Sequence, residues 1–171
     1  MNKNESVRGA LRLREAPSQR IAPTALKAWR IAASIVNGIL WLLVITLGIL
    51  TYIYGFSKWY VTIATILVLV LLCLFVLIIP RIRYQRWRYE IFDKEIYIQH
   101  GLIIVTRTIV PMTRVQHVDT TQGPILKKFN LAGVQISTAA TLHTIPALQE
   151  KDAIQLRDRI SELARVAIDD V

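Results

Sequence analysis

Residues 59–79 read WYVTIATILVLVLLCLFVLII, twenty-one positions without a single charge. A helix needs about 20 mostly apolar residues to cross the hydrocarbon core of a bilayer. Soluble helices seldom stay apolar on every face over so many turns. A second uncharged run, IAASIVNGILWLLVITLGILTYIY, occupies residues 31–54. Only Gly55, Phe56, Ser57 and Lys58 separate the two. So short a link forces the helices into an antiparallel hairpin. Tyr52, Tyr54, Trp59 and Tyr60 sit at the ends of the runs, where aromatic rings suit the membrane interface. The sequence therefore predicts a transmembrane hairpin over residues 24–80, with spans at about 31–54 and 59–79.

Charge placement orients the hairpin. The formal net charge is +9. Residues 1–30 carry seven basic and two acidic side chains, and the segment after the second run adds Arg81, Arg83, Arg86 and Arg88 with no acid. Residues 90–171 hold nine basic and ten acidic side chains. Both basic flanks lie on one side of the hairpin. The positive-inside rule then places the N-terminus and residues 81–171 in the cytoplasm of a multi-pass cell-membrane protein. A nucleic-acid partner is not expected, because such a binder carries its excess charge on the folded domain. The four arginines either fix topology alone or also hold anionic lipid headgroups, worth roughly 1 kcal/mol each near the surface.

The segment before the hairpin is polar, basic and broken by Pro17 and Pro23. Residues 1–23 are expected to form a flexible cytoplasmic tail, with Leu11, Leu13 and Ile21 available to the membrane or a partner. Thr24 is a candidate N-cap for the first span. The long polar approach and the length of the first run argue against a cleaved signal peptide. The single cysteine, Cys73, falls inside the second run, where it reads as a small apolar side chain.

Beyond residue 81 the texture becomes β-prone. RWRYEIF and EIYIQHG flank a turn at Asp93–Lys94, LIIVTRTIV runs up to Pro111, and GVQISTA and TLHTIP make two further short strands. ILKKFN, after Gly123–Pro124, suits one helical turn. In the last twenty residues Ala153, Leu156, Ile160, Leu163 and Ala167 recur at spacings of three and four, with charges on the other face. That is an amphipathic helix with one side to cover. Several short strands followed by one helix predict a curved sheet or barrel closed by that helix.

The quoted strands, the stretch VPMTRVQHVDTTQGPILKKFNLAGVQISTA and the terminal helix, behind two spans, resemble the bacterial pleckstrin-homology-like (PH-like) membrane proteins of the YdbS type. The likeness covers about residues 29–165 and is most specific over Pro111–Ala139. It implies an α+β membrane protein: a two-helix transmembrane hairpin, then a PH-like β-barrel or sandwich over residues 81–171 capped by a C-terminal α-helix. It also implies pairing with a larger membrane protein bearing several such domains, and a role in envelope stress or resistance to antimicrobial peptides. The sequence departs from the family pattern at Asn130 and Ala147, where glycine is usual. Asn accepts left-handed backbone better than most residues, whereas Ala does so only at a cost.

The polar stretch RVQHVDTTQGP (114–124) is the one place where chemistry could concentrate. His117 and Asp119 share a face of a strand, but no nucleophile motif accompanies them. His100, His117 and His143 lack metal-ligand spacing. No cofactor is expected, and the chain reads as non-enzymatic. Arg114, Gln116, His117, Asp119, Gly123 and Pro124 are read as a sheet-edge and turn element or an interface, with Lys127 and Lys128 reaching a partner or headgroup. Three functions remain open. One is an interaction module, assembled with a larger partner or with itself. Another is a sensor of anionic lipid. The third is an oligomeric transporter or channel using Ser34, Asn37 and Thr46, although charge within the spans is missing.

Overall fold

The computed structural model describes residues 17–169. The elements in chain order are β1 (Gln19–Arg20), α1 (Ala25–Tyr54), α2 (Trp59–Arg86), β2 (Arg88–Ile91), β3 (Glu95–His100), β4 (Thr106–Pro111), β5 (Val115–Thr121), α3 (Pro124–Lys128), β6 (Leu131–Thr138), β7 (Leu142–Gln149) and α4 (Glu150–Asp169). The two long helices pack side by side and turn at Gly55, whose φ of 68° closes α1. Most of their apolar side chains face outward, so they are not the buried core helices of a soluble protein. The expected spans both fall inside them.

The second long helix is not regular throughout. Cys73–Ile78 forms a π-helical stretch, in which the Ile79 N–H reaches back to the Leu74 carbonyl. The cause is Pro80. Its ring has no N–H and would collide with the carbonyl four residues earlier, and a widened turn relieves that contact. The π-helical stretch packs against α1, on which Asn37 is buried.

Two antiparallel sheets build the domain, in the orders β1-β2-β3-β4 and β5-β6-β7. The core between them holds Ile96, Ile98, Val110, Met112, Leu131, Val134, Ile136 and Ile145, all nearly inaccessible. The helix α4 closes one side through Ala153, Ile160 and Ala164, with Leu156, Leu163 and Ala167 at the margin, as its periodicity requires. This is an α+β sandwich of two antiparallel sheets capped by a helix.

The membrane hairpin is inserted between β1 and β2. Gln19 and Arg20 pair with Tyr89 and Arg88 across the hairpin. Ile21 is only 1% exposed, and the Ala22 N–H donates to the Ala147 carbonyl at 3.1 Å. The tail expected over residues 1–23 does not extend over residues 17–22, and its first sixteen positions lie outside the described residues. Residues 17–22 belong to the domain because β2 offers them a ladder and the core takes Ile21. Leu11 and Leu13 lie outside the described residues. Thr24 precedes the first turn of α1 but makes no side-chain cap, and its hydroxyl is buried without a partner.

The run LIIVTRTIV divides. Six residues of β3 pair with six of β4, from Glu95–Pro111 to His100–Thr106. Nothing remains for Leu102–Val105 to pair with, so they form an exposed loop. Asn130 and Ala147 both adopt left-handed backbone, at φ 52° and 53°. Each turns its carbonyl to a neighbouring segment. Asn130 accepts from the first N–H of α4, at Glu150 (3.0 Å), and Ala147 accepts from Ala22.

Two outcomes test this architecture. Ile21→Ala should cost about 2–5 kcal/mol, as a buried truncation does. It is read as a drop in the thermal unfolding temperature of the detergent-solubilised chain. Asn130→Val should cost about 1–2 kcal/mol for its left-handed backbone. Asn130→Gly should leave stability unchanged or raised in the same assay.

Candidate functional site

The domain has a membrane end and a far end, defined by connectivity. The helix α2 stops at Arg86 and the chain enters β2 at Arg88. The antiparallel β3 returns to the same end, where Gln99 faces Arg88. The β3–β4 loop at 101–105 is therefore beside the helix ends. So is α3, which touches α1. The turn at 93–94, the 3₁₀ turn Met112–Arg114 and the β6–β7 connection lie at the far end.

The four juxtamembrane arginines do different things. The Arg83 guanidinium sits 4.4 Å from the centre of the Trp29 ring, a cation–π contact that ties the two helices at the interface. Arg86 Nη1 donates to the Ile103 carbonyl at 3.0 Å. Arg88 is a strand residue between Arg20 and Gln99. Arg81 is exposed. Among the described residues the two side-chain ion pairs are His117–Asp119 and Arg157–Asp158, so none of these four arginines is paired with a carboxylate.

The helix end is braced by buried groups. Gln99 accepts from Arg107 Nε at 3.0 Å and turns its amide toward the Arg86 carbonyl at 3.5 Å. The Trp87 N–H donates to the Arg83 carbonyl, satisfying another end-of-helix group. Trp87 also stacks on His100, with centroids 5.3 Å apart.

The motif 114–124 does not form one cluster. Arg114 and Gln116 line an open groove of about 660 Å³ at the far end, together with Thr108, Thr113, Thr141 and His143. There the His143 ring and the Thr141 hydroxyl are 2.9 Å apart. His117 and Asp119 pair at 2.8 Å on the solvent face of β5, which is an edge strand of its sheet. A register shift between Val115 and His117 marks a bulge at Gln116. Gly123 and Pro124 start α3 at the membrane end, Pro124 taking the first helical position, where it loses no bond. Lys127 and Lys128 are exposed there. Gln122 donates to the Leu131 carbonyl at 2.9 Å and fixes the approach to that turn. Among the described residues no three His, Cys, Asp or Glu side chains gather as a metal set would.

A model of the bacterial PH domain matches residues 21–164, which takes in both long helices, every strand but the first and most of α4. The chain belongs to this family. It is 50% identical over 159 residues to the UPF0699 transmembrane protein YdbS of Bacillus subtilis (strain 168), covering 93% of this chain and all of that protein. It is also similar to the UPF0699 transmembrane protein YdbT of the same organism, at 28% identity over 81 residues, 47% of this chain but only 16% of YdbT. No solved structure matches significantly.

For a bacterial PH domain protein of this type, then, the residues quoted from the sequence separate into a membrane-facing group and a far-end group. Three participants carried no sequence signal strong enough to find them: Trp29 under Arg83, the buried Gln99, and the loop 102–105. The length of LIIVTRTIV, longer than its partner strand, is the one hint of the last.

The His117–Asp119 pair is exposed and should matter little to folding. His117→Ala is expected to change stability by less than about 1 kcal/mol, the range of surface pairs, measured by chemical denaturation.

Proposed function

We propose that this bacterial PH domain protein is a non-enzymatic, membrane-anchored subunit whose far-end groove receives a larger membrane protein carrying similar domains. One observation carries the reading. The groove lined by Arg114, Gln116 and His143 together with Ile109, Pro111 and Ala140 opens at the end opposite the helices, away from the lipids that surround them. Its mixed apolar and polar lining, away from the bilayer, suits a protein surface better than a lipid headgroup. The similarity to a segment making up 16% of YdbT supports a longer partner with room for further domains. The basic flanks support a cytoplasmic position for the N-terminus and the domain. The role that accompanies this reading is in envelope stress or resistance to antimicrobial peptides.

Native extraction of the C-terminally tagged chain in mild detergent, followed by mass spectrometry, tests the assembly. A stoichiometric membrane partner is expected, and Arg114→Glu should reduce its recovery at least about tenfold, equivalent to 1.4 kcal/mol, with unfolding temperature unchanged. Recovery of the chain with lipid alone, or full retention by Arg114→Glu, defeats the proposal.

A second reading has its own support. Arg81, Arg83, Arg86 and Arg88 are unneutralised beside the membrane, which suits recognition of anionic headgroups. Retention of phosphatidylglycerol by the full chain should then fall steeply as salt rises from low to physiological strength. Retention that ignores salt ends this version. The full chain is needed, because residues 81–171 alone lack β1 and Ile21.

A further inference from the structure

We infer that the β3–β4 loop, Leu102–Val105, is a membrane wedge: a third anchor that inserts its aliphatic side chains at the headgroup–acyl boundary beside the two helices. It does not depend on the partner at the far end.

Four consecutive aliphatic residues face solvent here. Ile103 is 92% exposed and Ile104 79%, with Leu102 and Val105 at 40% and 41%. In a domain whose other isoleucines largely fill the core, such a tip is unusual unless something apolar covers it. Two independent features say what does. The sheet topology brings the loop to the end of the domain where α2 leaves the membrane. The hydrogen bond from Arg86 to the Ile103 carbonyl then fixes the loop against the last turn of that helix. Arg86 lies one helical turn, about 5 Å, from Arg83. Arg83 rests on Trp29, an aromatic at the level expected of the interface. The loop therefore sits at headgroup depth, with its cation partner placed for phosphate and its isoleucines placed for acyl chain.

The loop is also built to hold its shape. Gly101 has a φ of 132°, and a Cβ there would lie 1.9 Å from the Ile104 carbonyl oxygen. The chain folds tightly back on itself and projects residues 103 and 104 at the tip. Trp87 against His100 steadies the strand that leads into it. The helices alone would leave the domain hanging on two short links; a third apolar contact sets its tilt against the bilayer.

The test uses the full chain in nanodiscs of phosphatidylethanolamine and phosphatidylglycerol. Cys73 is the one native cysteine, so Cys73→Ala gives a clean background for Ile103→Cys labelled with an environment-sensitive NBD dye. A Leu142→Cys label, at the far end, is the aqueous control. The expected result is blue-shifted emission at 103, quenched by nitroxide on the lipid acyl chain and protected from iodide, with the reverse at 142. Emission at 103 that matches 142 overturns the proposal. Protection from iodide without lipid quenching also overturns it, because a second copy of the chain then covers the loop. The dye is itself apolar, so the label is also moved to Val105→Cys. There the wedge predicts that Ile103→Asp with Ile104→Asp abolishes the blue shift, while an unchanged shift counts against it. Both isoleucines are exposed, so these changes leave the core intact.

Discussion

The pairing of Gln19 and Arg20 with Tyr89 and Arg88 is the contact on which this molecule turns. Backbone groups inside hydrocarbon must be satisfied within the chain, so the crossings must be helices. Backbone groups of a sheet edge are satisfied by a neighbouring strand. The chain meets both demands at once by leaving the sheet at β1, crossing twice, and returning to the adjacent strand. The helices are thereby held side by side at the ends nearest the domain by two ladder positions and by Arg83 over Trp29. The domain is correspondingly held close beneath them.

Around that joint the structure sorts its polar groups by depth. Gln99, Trp87 and Arg86 satisfy or brace the end of α2, where orphan carbonyls would otherwise be buried. The arginines stay unneutralised on the membrane side. The groove with Arg114, lined by threonines and aliphatic side chains, lies at the opposite end. A chain with a strongly basic overall balance thus presents two quite different faces, and its net charge describes only one of them. Thr46, one of the few polar residues in the first helix, gives its hydroxyl to the Leu42 carbonyl of the same helix, and Asn37 is buried against its neighbour. Neither arrangement favours a path for ions.

What the sequence revealed depended on the length of the signal. The two apolar runs extend over twenty or more residues each, and no soluble alternative fits them. The terminal helix was legible from five apolar positions, all of which meet the core. The glycine-like positions at Asn130 and Ala147 were legible as departures from a pattern, and both residues take the left-handed backbone that glycine would. Two-residue β1 has no periodicity to read, so its place in the sheet was hidden inside an apparent tail. LIIV has the composition of a strand and became a loop because β3 had no residues left to pair with it. The motif 114–124 is contiguous in sequence and split in space, since β5 carries its two ends to opposite poles of the domain.

The insertion of the hairpin after the first strand also sets an order of assembly. The ribosome makes β1 and Ile21 early, but β2, their partner, follows some seventy residues later. In the interval both helices must enter the bilayer and turn at Gly55. A chain whose hairpin stalls halfway delivers β2 to the wrong side and leaves the core without Ile21. Closure of the β1–β2 ladder therefore requires both ends of the hairpin to emerge on one side of the bilayer.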